Sequence, residues 1–235
     1  MTTTAVERRV GDPVDPSSSP RPQRTTLEGR TVKLVPLDAH DHLEDLWLAT
    51  GGPDNEHLWT YMFEWPFQNR SSLEANLQRK EASDDPLYYT IIDKASGDAV
   101  GWAAFMRMEP LQRVMEVGSI MFTSRIQRTY GATEAMYLMA RYAFENLHIR
   151  RYEWKCDALN EPSRRAALRL GFKFEGLFRQ HMVVKGRNRD TAWYSMLDSE
   201  WPGRKRAFEQ WLDSKNFDEH GKQRVSLSSL NNVER

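Results

Sequence analysis

Five residues between positions 116 and 163 of this 235-residue chain have types and spacing suited to one piece of chemistry: Glu116, Arg128, Gly131, Asn160 and Ser163. The stretch from Glu116 to Ala135 reads as a strand running into a loop that opens a long helix. Backbone N–H groups in the first turn of a helix have no intrahelical partners, and the helix dipole adds partial positive charge there. A pyrophosphate supplies both acceptors and charge. Arg128 contributes a fixed cation, and Gly131 and Ala132 present no bulk to keep a ligand off the backbone. Glu116, on the strand before this loop, is a candidate proton acceptor, because partial burial can raise a carboxylate's pKa toward neutrality. Equally, it suits an exposed strand residue paired with Arg113 or Arg125. Asn160 stands where a helix N-cap belongs, with Ser163 one turn in as a first-turn hydroxyl.

Elements able to position these residues follow from the apolar pattern. Residues 31–35 predict a first strand, and Asp38 starts a helix with Leu43, Leu46 and Trp47 at helical spacing. Ser71 and Glu74 have capping-box spacing and predict a second helix over 72–82. Strands are expected over 87–93 and 99–108, joined by a turn at Gly97, and again over 114–122 and 151–157. A helix over 133–146 carries apolar residues around much of its surface, as suits a helix lying on a sheet. The Asn160 helix, a hairpin over 174–193 and a helix containing Trp201, Phe208, Trp211 and Leu212 complete the domain. Strands with interspersed helices indicate an α/β or α+β fold. Residues 1–26, rich in proline and serine, are expected as a disordered tail, 27–213 as a single domain, and 214–235 as a flexible tail.

Composition removes several classes. Lys plus Arg and Asp plus Glu both number 33, so no net field draws in nucleic acid or an anionic membrane. No apolar run reaches the roughly 20 residues of a membrane span, and the N-terminus lacks the core of a secretory signal. A cytoplasmic protein is expected. The one cysteine, Cys156, cannot make an internal disulfide and reads as a packed thiol. The six histidines make no ligand set; His40 and His42 suit a solvated helix start, and no metal is expected. The Gly-x-x-x-x-Gly-Lys-Ser/Thr pattern of a nucleotide-binding loop is missing.

The loop Arg128-x-x-Gly131-x-Thr133 resembles the acetyl-coenzyme A loop, Gln/Arg-x-x-Gly-x-Gly/Ala, of the GCN5-related N-acetyltransferase (GNAT) superfamily. Thr133 departs from the small residue expected there, and Ala132 can fill that role one position earlier. The block from Asn160 through Ser163 and Ala167 to Gly171-Phe172 resembles the superfamily's following helix, which closes on Gly-Phe. Phe174 to Arg179, Lys185 to Asp190 and Trp193 to Leu197 look like the closing hairpin of the RimJ/RimL-like, ribosomal-protein acetyltransferase branch. Together these blocks span roughly residues 27–200.

The resemblance implies a mixed, mostly antiparallel sheet of six or seven strands flanked by helices, with the fourth and fifth strands splayed to admit pantetheine. It implies acetyl-CoA as cosubstrate, met by Ile120, Met121, Phe122, Arg128, Thr129, Gly131, Ala132, Thr133, Asn160 and Ser163. Acetyl would pass directly to a primary amine of a protein N-terminus or a small molecule, in a monomer or homodimer. Glu116 would serve as general base and Ser163 as proton donor to the leaving sulfur. Ala167 occupies the place where many members carry an acidic tyrosine. The aromatic segment from His57 to Phe67 is either a loop pinned to the core or a wall of the acceptor site, with Trp59 and Trp65 the residues of interest. The alternative from a different class is a non-catalytic module of the same fold that senses acetyl-CoA.

Overall fold

The computed structural model describes residues 8–232. Eight strands form one sheet: β1 (Leu27–Glu28), β2 (Val32–Pro36), β3 (Leu87–Asp93), β4 (Ala99–Glu109), β5 (Val114–Phe122), β6 (Arg151–Asp157), β7 (Lys173–Val184) and β8 (Arg187–Leu197), in the order β1-β2-β3-β4-β5-β6-β8-β7. Every neighbouring pair is antiparallel except β5 with β6. The sheet therefore has the mixed, mostly antiparallel character expected, and the two-residue β1 takes the strand count past seven.

Both faces are covered. Helices α1 (Leu43–Thr50) and α2 (Arg70–Glu81) bury Leu46, Leu73 and Leu77 with Trp102 on one side. On the other, α3 (Tyr130–Arg141), α4 (Glu161–Arg169) and α5 (Trp201–Leu212) close over Leu34, Tyr89, Phe105 and Tyr152. Strand β3 is buried almost throughout because its alternate residues serve both layers: Tyr89 and Ile91 one, Tyr88 and Ile92 the other. Among the described residues, no helix is long and apolar enough to cross a membrane.

Local chemistry sets the helix starts. The second helix is capped by Asn69, whose side chain accepts from Ser72 N while Ser72 Oγ accepts from Asn69 N, so the expected Ser71/Glu74 box is displaced by two residues. α3 begins at Tyr130, earlier than expected, because Thr129 Oγ1 accepts from Ala132 N and starts the turn. Glu134 of α3 is buried, and its carboxylate accepts from the backbone N–H groups of Arg30, Thr31 and Val32 and from Thr31 Oγ1 at 2.6–3.1 Å. Those charge-assisted bonds compensate its burial and lock α3 to the β1–β2 turn. α4 ends as its sequence demands: Gly171 has φ 97°, and Phe172 N returns to Ala167 O at 3.0 Å.

The expected tails differ most from the structure, apart from residues 1–7 and 233–235, which lie outside the described residues. Ser19 N donates to Pro110 O, and Gln23 joins Tyr89 and Tyr142 through its backbone, so residues near 15–24 lie along the domain without helix or strand. At the other end, helix α6 (Leu227–Asn232) buries Leu227 completely, and Asn231 donates to Arg169 O while its own carbonyl accepts from Arg204. Polar composition misled here because backbone and amide hydrogen bonds, with the few apolar residues Phe217, Leu227 and Leu230, do the docking. Leu227→Ala should cost about 2–5 kcal/mol in denaturant unfolding. An unchanged midpoint would mean that α6 does not dock.

Candidate active site

Strands β5 and β6 pair only at Val114↔Arg151, Met115↔Tyr152 and Glu116↔Glu153. Beyond that ladder β5 stays with β4 and β6 stays with β8, so the two part and a wedge opens between them. A bulge contributes: Gly118 pairs with Ala104 but Met121 with Trp102, and the intervening Ser119 has φ 48°. An extra residue on one strand bends it and increases its twist. The wedge opens into a cleft of about 2130 Å³ bordered by Gly118 to Phe122 on β5 and Trp154 to Asp157 on β6. Ile120 and Phe122 are half-buried along it, while Met121 turns its side chain into the α1–α2 core and offers the cleft backbone.

At one end of the cleft lies the start of α3, with Arg128, Thr129, Ala132 and Thr133 in its wall. Arg128 has φ 61°, the left-handed conformation that lets the loop turn into the helix. Gly131 has a different task from the one its motif suggests. A Cβ there would come within 2.9 Å of Val32 Cγ1, so its bareness lets α3 approach β2. Thr133 likewise has a specific partner: its Oγ1 accepts from Arg169 Nη1 at 3.0 Å, which brings a half-buried cation from α4 to this end. Arg165, Lys173 and Arg204 line the same cleft. Unpaired helix-start N–H groups beside Arg128 and Arg169 fit a pyrophosphate-bearing ligand, and the open edge of β5 fits a narrow arm with amide groups.

Asn160 caps α4 by accepting from Ser163 N at 3.1 Å. Ser163 Oγ accepts from Trp154 Nε1 at 3.0 Å and keeps its own proton to donate, with the Cys156 sulfur beside it as one acceptor. Both residues line the cleft, and the buried Cys156 faces the same hydroxyl; burial pushes that thiol's pKa up, consistent with a packed, unreactive cysteine. Ala167 is fully buried and offers nothing to the cleft. Arg164 is held by Tyr194 OH and Ala158 O, and Arg165 by Glu161.

Glu116 lies at the apex of the wedge and is buried. Its Oε2 is 2.9 Å from Lys155 Nζ and 3.1 Å from Arg107 Nε. Arg113 and Arg125, the partners open to it from sequence, pair instead with Asp15 and Asp98. Lys155 also binds Glu153 at 2.7 Å and sits 3.8 Å from the centre of the Trp193 ring. Burial raises the Glu116 pKa above the ordinary carboxylate value, and the charges of Lys155 and Arg107 oppose that rise. Sequence reasoning missed Lys155. The signal was present: Arg151, Glu153, Lys155 and Asp157 alternate with Tyr152, Trp154 and Cys156, which places four charges on one face of the sheet.

The aromatic segment divides. Trp59 is core: it is 1 % exposed, donates from Nε1 to Thr50 O at 2.9 Å and packs edge-on against Phe67. It cannot touch an acceptor, because the indole is enclosed between α1 and β4. Trp65 is exposed, stacked under Lys185, and outside the cleft wall. The segment does border the cleft, through His57, Tyr61, Met62, Phe63 and Glu64. At the start of α1, Asp38, His40 and Asp41 offer ligand atoms within 4.8 Å of one another, but Asp38 Oδ1 already accepts from His40 N and Asp41 N as part of an exposed turn.

The charges around Glu116 make a prediction. Lys155→Met removes the stronger of the two cationic influences that hold the carboxyl's pKa down, so that only Arg107 opposes burial and Glu153. The Glu116 titration followed by carbon-detected NMR should therefore move to higher pH in the variant. A midpoint that stays in place or falls would contradict the ion pair.

Comparison with known proteins agrees with this geometry. Residues 31–173 match the family model described as an acetyltransferase (GNAT) domain. A GCN5-related N-acetyltransferase from Brucella melitensis of known crystal structure is 49% identical, with a TM-score of 0.90 over 92% of this chain and 98% of that one. The uncharacterized N-acetyltransferase p20 of Bacillus licheniformis is 29% identical over 179 residues, 75% of this chain and 97% of its own length. A 109-residue stretch is 30% identical to YdaF of Bacillus subtilis strain 168, whose name assigns it provisionally to ribosomal N-acetylation; the match covers 46% of this chain and 59% of YdaF. The splayed sheet, the helix start beside it and these relatives together make the chain a member of the GNAT family of acetyltransferases.

Proposed function

We propose that the chain moves an acetyl group from acetyl-CoA directly to the primary amine of a protein N-terminus or a small molecule. The observation that carries this reading is the unpaired edge of β5 beyond Glu116, which joins the anion-suited start of α3 to the buried carboxylate at the wedge apex. Pantetheine lies along that edge, with the phosphates at Arg128 and Thr129 and the thioester near Ser163. Backbone N–H groups of β5 that point away from β4 polarise the carbonyl. Glu116, its pKa raised by burial against the opposing charges of Lys155 and Arg107, takes the proton from the attacking amine directly or through water. The amine nitrogen bonds to the carbonyl carbon, the tetrahedral intermediate collapses, and the C–S bond breaks. Ser163, oriented by Trp154, donates a hydrogen bond or a proton to the departing sulfur. Holding the two reactants together in the wedge is worth up to about 7–11 kcal/mol, so two polar side chains suffice. A lone cysteine and the lack of a membrane-crossing helix among the described residues suit action in the cytoplasm.

Free-thiol release with acetyl-CoA and a panel of amines and peptides tests this reading. Transfer to an amine is expected. Binding of acetyl-CoA without any amine-dependent release would instead favour a sensor. Ser163→Ala should lower turnover by at least about tenfold, a transition-state effect. Its affinity for acetyl-CoA, measured by calorimetry, should change little. Unchanged turnover would return Ser163 to a purely capping role.

A further inference from the structure

Arg189 is a buried cation that the proposed chemistry leaves unused. It stands on β8 opposite Met182 of β7, lines the cleft and is 8 % exposed. Its Nε donates to Thr191 Oγ1 at 3.2 Å, and its guanidinium lies 5.1 Å from the centre of the Phe63 ring. Among the described residues its two terminal nitrogens have no hydrogen-bond or ion-pair partner, and neither is sealed from the cleft. Asp157 is the leading opposite charge near it, yet forms no ion pair with it and instead accepts from Leu159 N. Glu116 is also near but is engaged by Lys155 and Arg107. Burial disfavours this guanidinium's charge, so its position is costly unless an anion completes it.

The anion is not the coenzyme's phosphate. The cations suited to that group, Arg128 and Arg169, converge at the start of α3. Arg189 belongs to the other end, where its electrostatic neighbours are Glu116, Cys156 and Asp157 and its wall is the Phe63 segment. That is the side from which an acceptor must present its nitrogen to Glu116. A planar fork with unused donors matches a carboxylate or a phosphate in two-point contact.

We propose that Arg189 binds an acidic group of the acceptor, so that the preferred substrate is an amine carrying a carboxylate or phosphate a short distance from its nitrogen. This rests on the acetyl-transfer reading above and narrows it. Phe63 covers the guanidinium from one side and Thr191 engages its Nε, which leaves the two terminal nitrogens for a ligand in the cleft. The acid would anchor the substrate while its amine reaches Glu116.

Matched acceptors test this: β-alanine against its amide, phosphoethanolamine against ethanolamine, and the peptide Ala-Asp-Ala against Ala-Asn-Ala. kcat/KM for each comes from thiol release with saturating acetyl-CoA. The acidic member of at least one pair should be favoured by about tenfold or more, and which pair shows it identifies the source of the anion. Arg189→Gln should bring that ratio to about one, with acetyl-CoA affinity by calorimetry unchanged. Equal rates within every pair for the wild type, or a ratio that survives in Arg189→Gln, would overturn the inference while leaving acetyl transfer intact. Should Arg189→Gln fail to fold by circular dichroism, Arg189→Lys decides, since it keeps charge and loses the fork: a reduced ratio supports the inference and an unchanged one refutes it. Acetyl-CoA binding with no transfer to any of these amines would remove the acetyl-transfer reading and this inference with it.

Discussion

Everything in the site depends on where the parallel contact between β5 and β6 stops, and the ammonium of Lys155 holds that point. It bridges Glu116 on one strand to Glu153 on the other just where the ladder ends, inside a sheet where a lone charge would be costly. With the ladder pinned there, the bulge at Ser119 turns β5 away and leaves its backbone edge open. Removing one partner of such a buried pair typically costs about 3–5 kcal/mol. The same contact opposes the rise that burial gives the Glu116 pKa, so one interaction shapes the cleft and tunes the carboxylate within it. Arg151 extends the network outward through Glu153 to Glu175, whose carboxyl falls to about 2 under the hydrogen bonds of Arg151. That outer pair is partly solvated and contributes far less.

The elements around this junction are positioned from several directions. Glu134 ties α3 to the β1–β2 turn, and Gly131 allows the helix to come close to β2, so the helix start points its free N–H groups at the cleft. Thr133 reaches across to Arg169, and Arg169 O is in turn held by Asn231 of the C-terminal helix. The anion end of the site thus depends on a segment far away in sequence. At the acceptor end, Tyr61 OH donates to Leu159 O in the turn before α4, and Lys185 donates to Trp59 O. These bonds fasten the aromatic segment over the wedge.

Much of the fold was legible because strand and helix periods survive in the core: the strands over 87–93 and 151–157 coincide with β3 and β6. The helix over 133–146 was read too short at its start, since Thr129's cap lies in a stretch without apolar period. The motif residues Arg128, Thr129, Ala132, Thr133, Asn160 and Ser163 all reach the cleft, whereas Gly131 turned toward Val32 because a glycine's purpose is invisible until its neighbours are known. Trp59 and Trp65 could not be told apart in sequence; one fills the core and the other lies on the surface, and the smaller Phe63 between them meets Arg189. Arg189 and Lys155 escaped notice since a charged residue on a strand reads as solvated until its burial is seen.

The most direct measurement is amide hydrogen exchange by mass spectrometry with and without acetyl-CoA. Acetyl-CoA should slow exchange in two segments, the open edge of β5 at 118–122 and the start of α3 at 128–133, while the paired ladder at 114–116 is unaffected because its amides are already protected. Protection confined to other parts of the chain, or none under saturating acetyl-CoA, would contradict the claim that the splay of β5 from β6 is where the coenzyme binds.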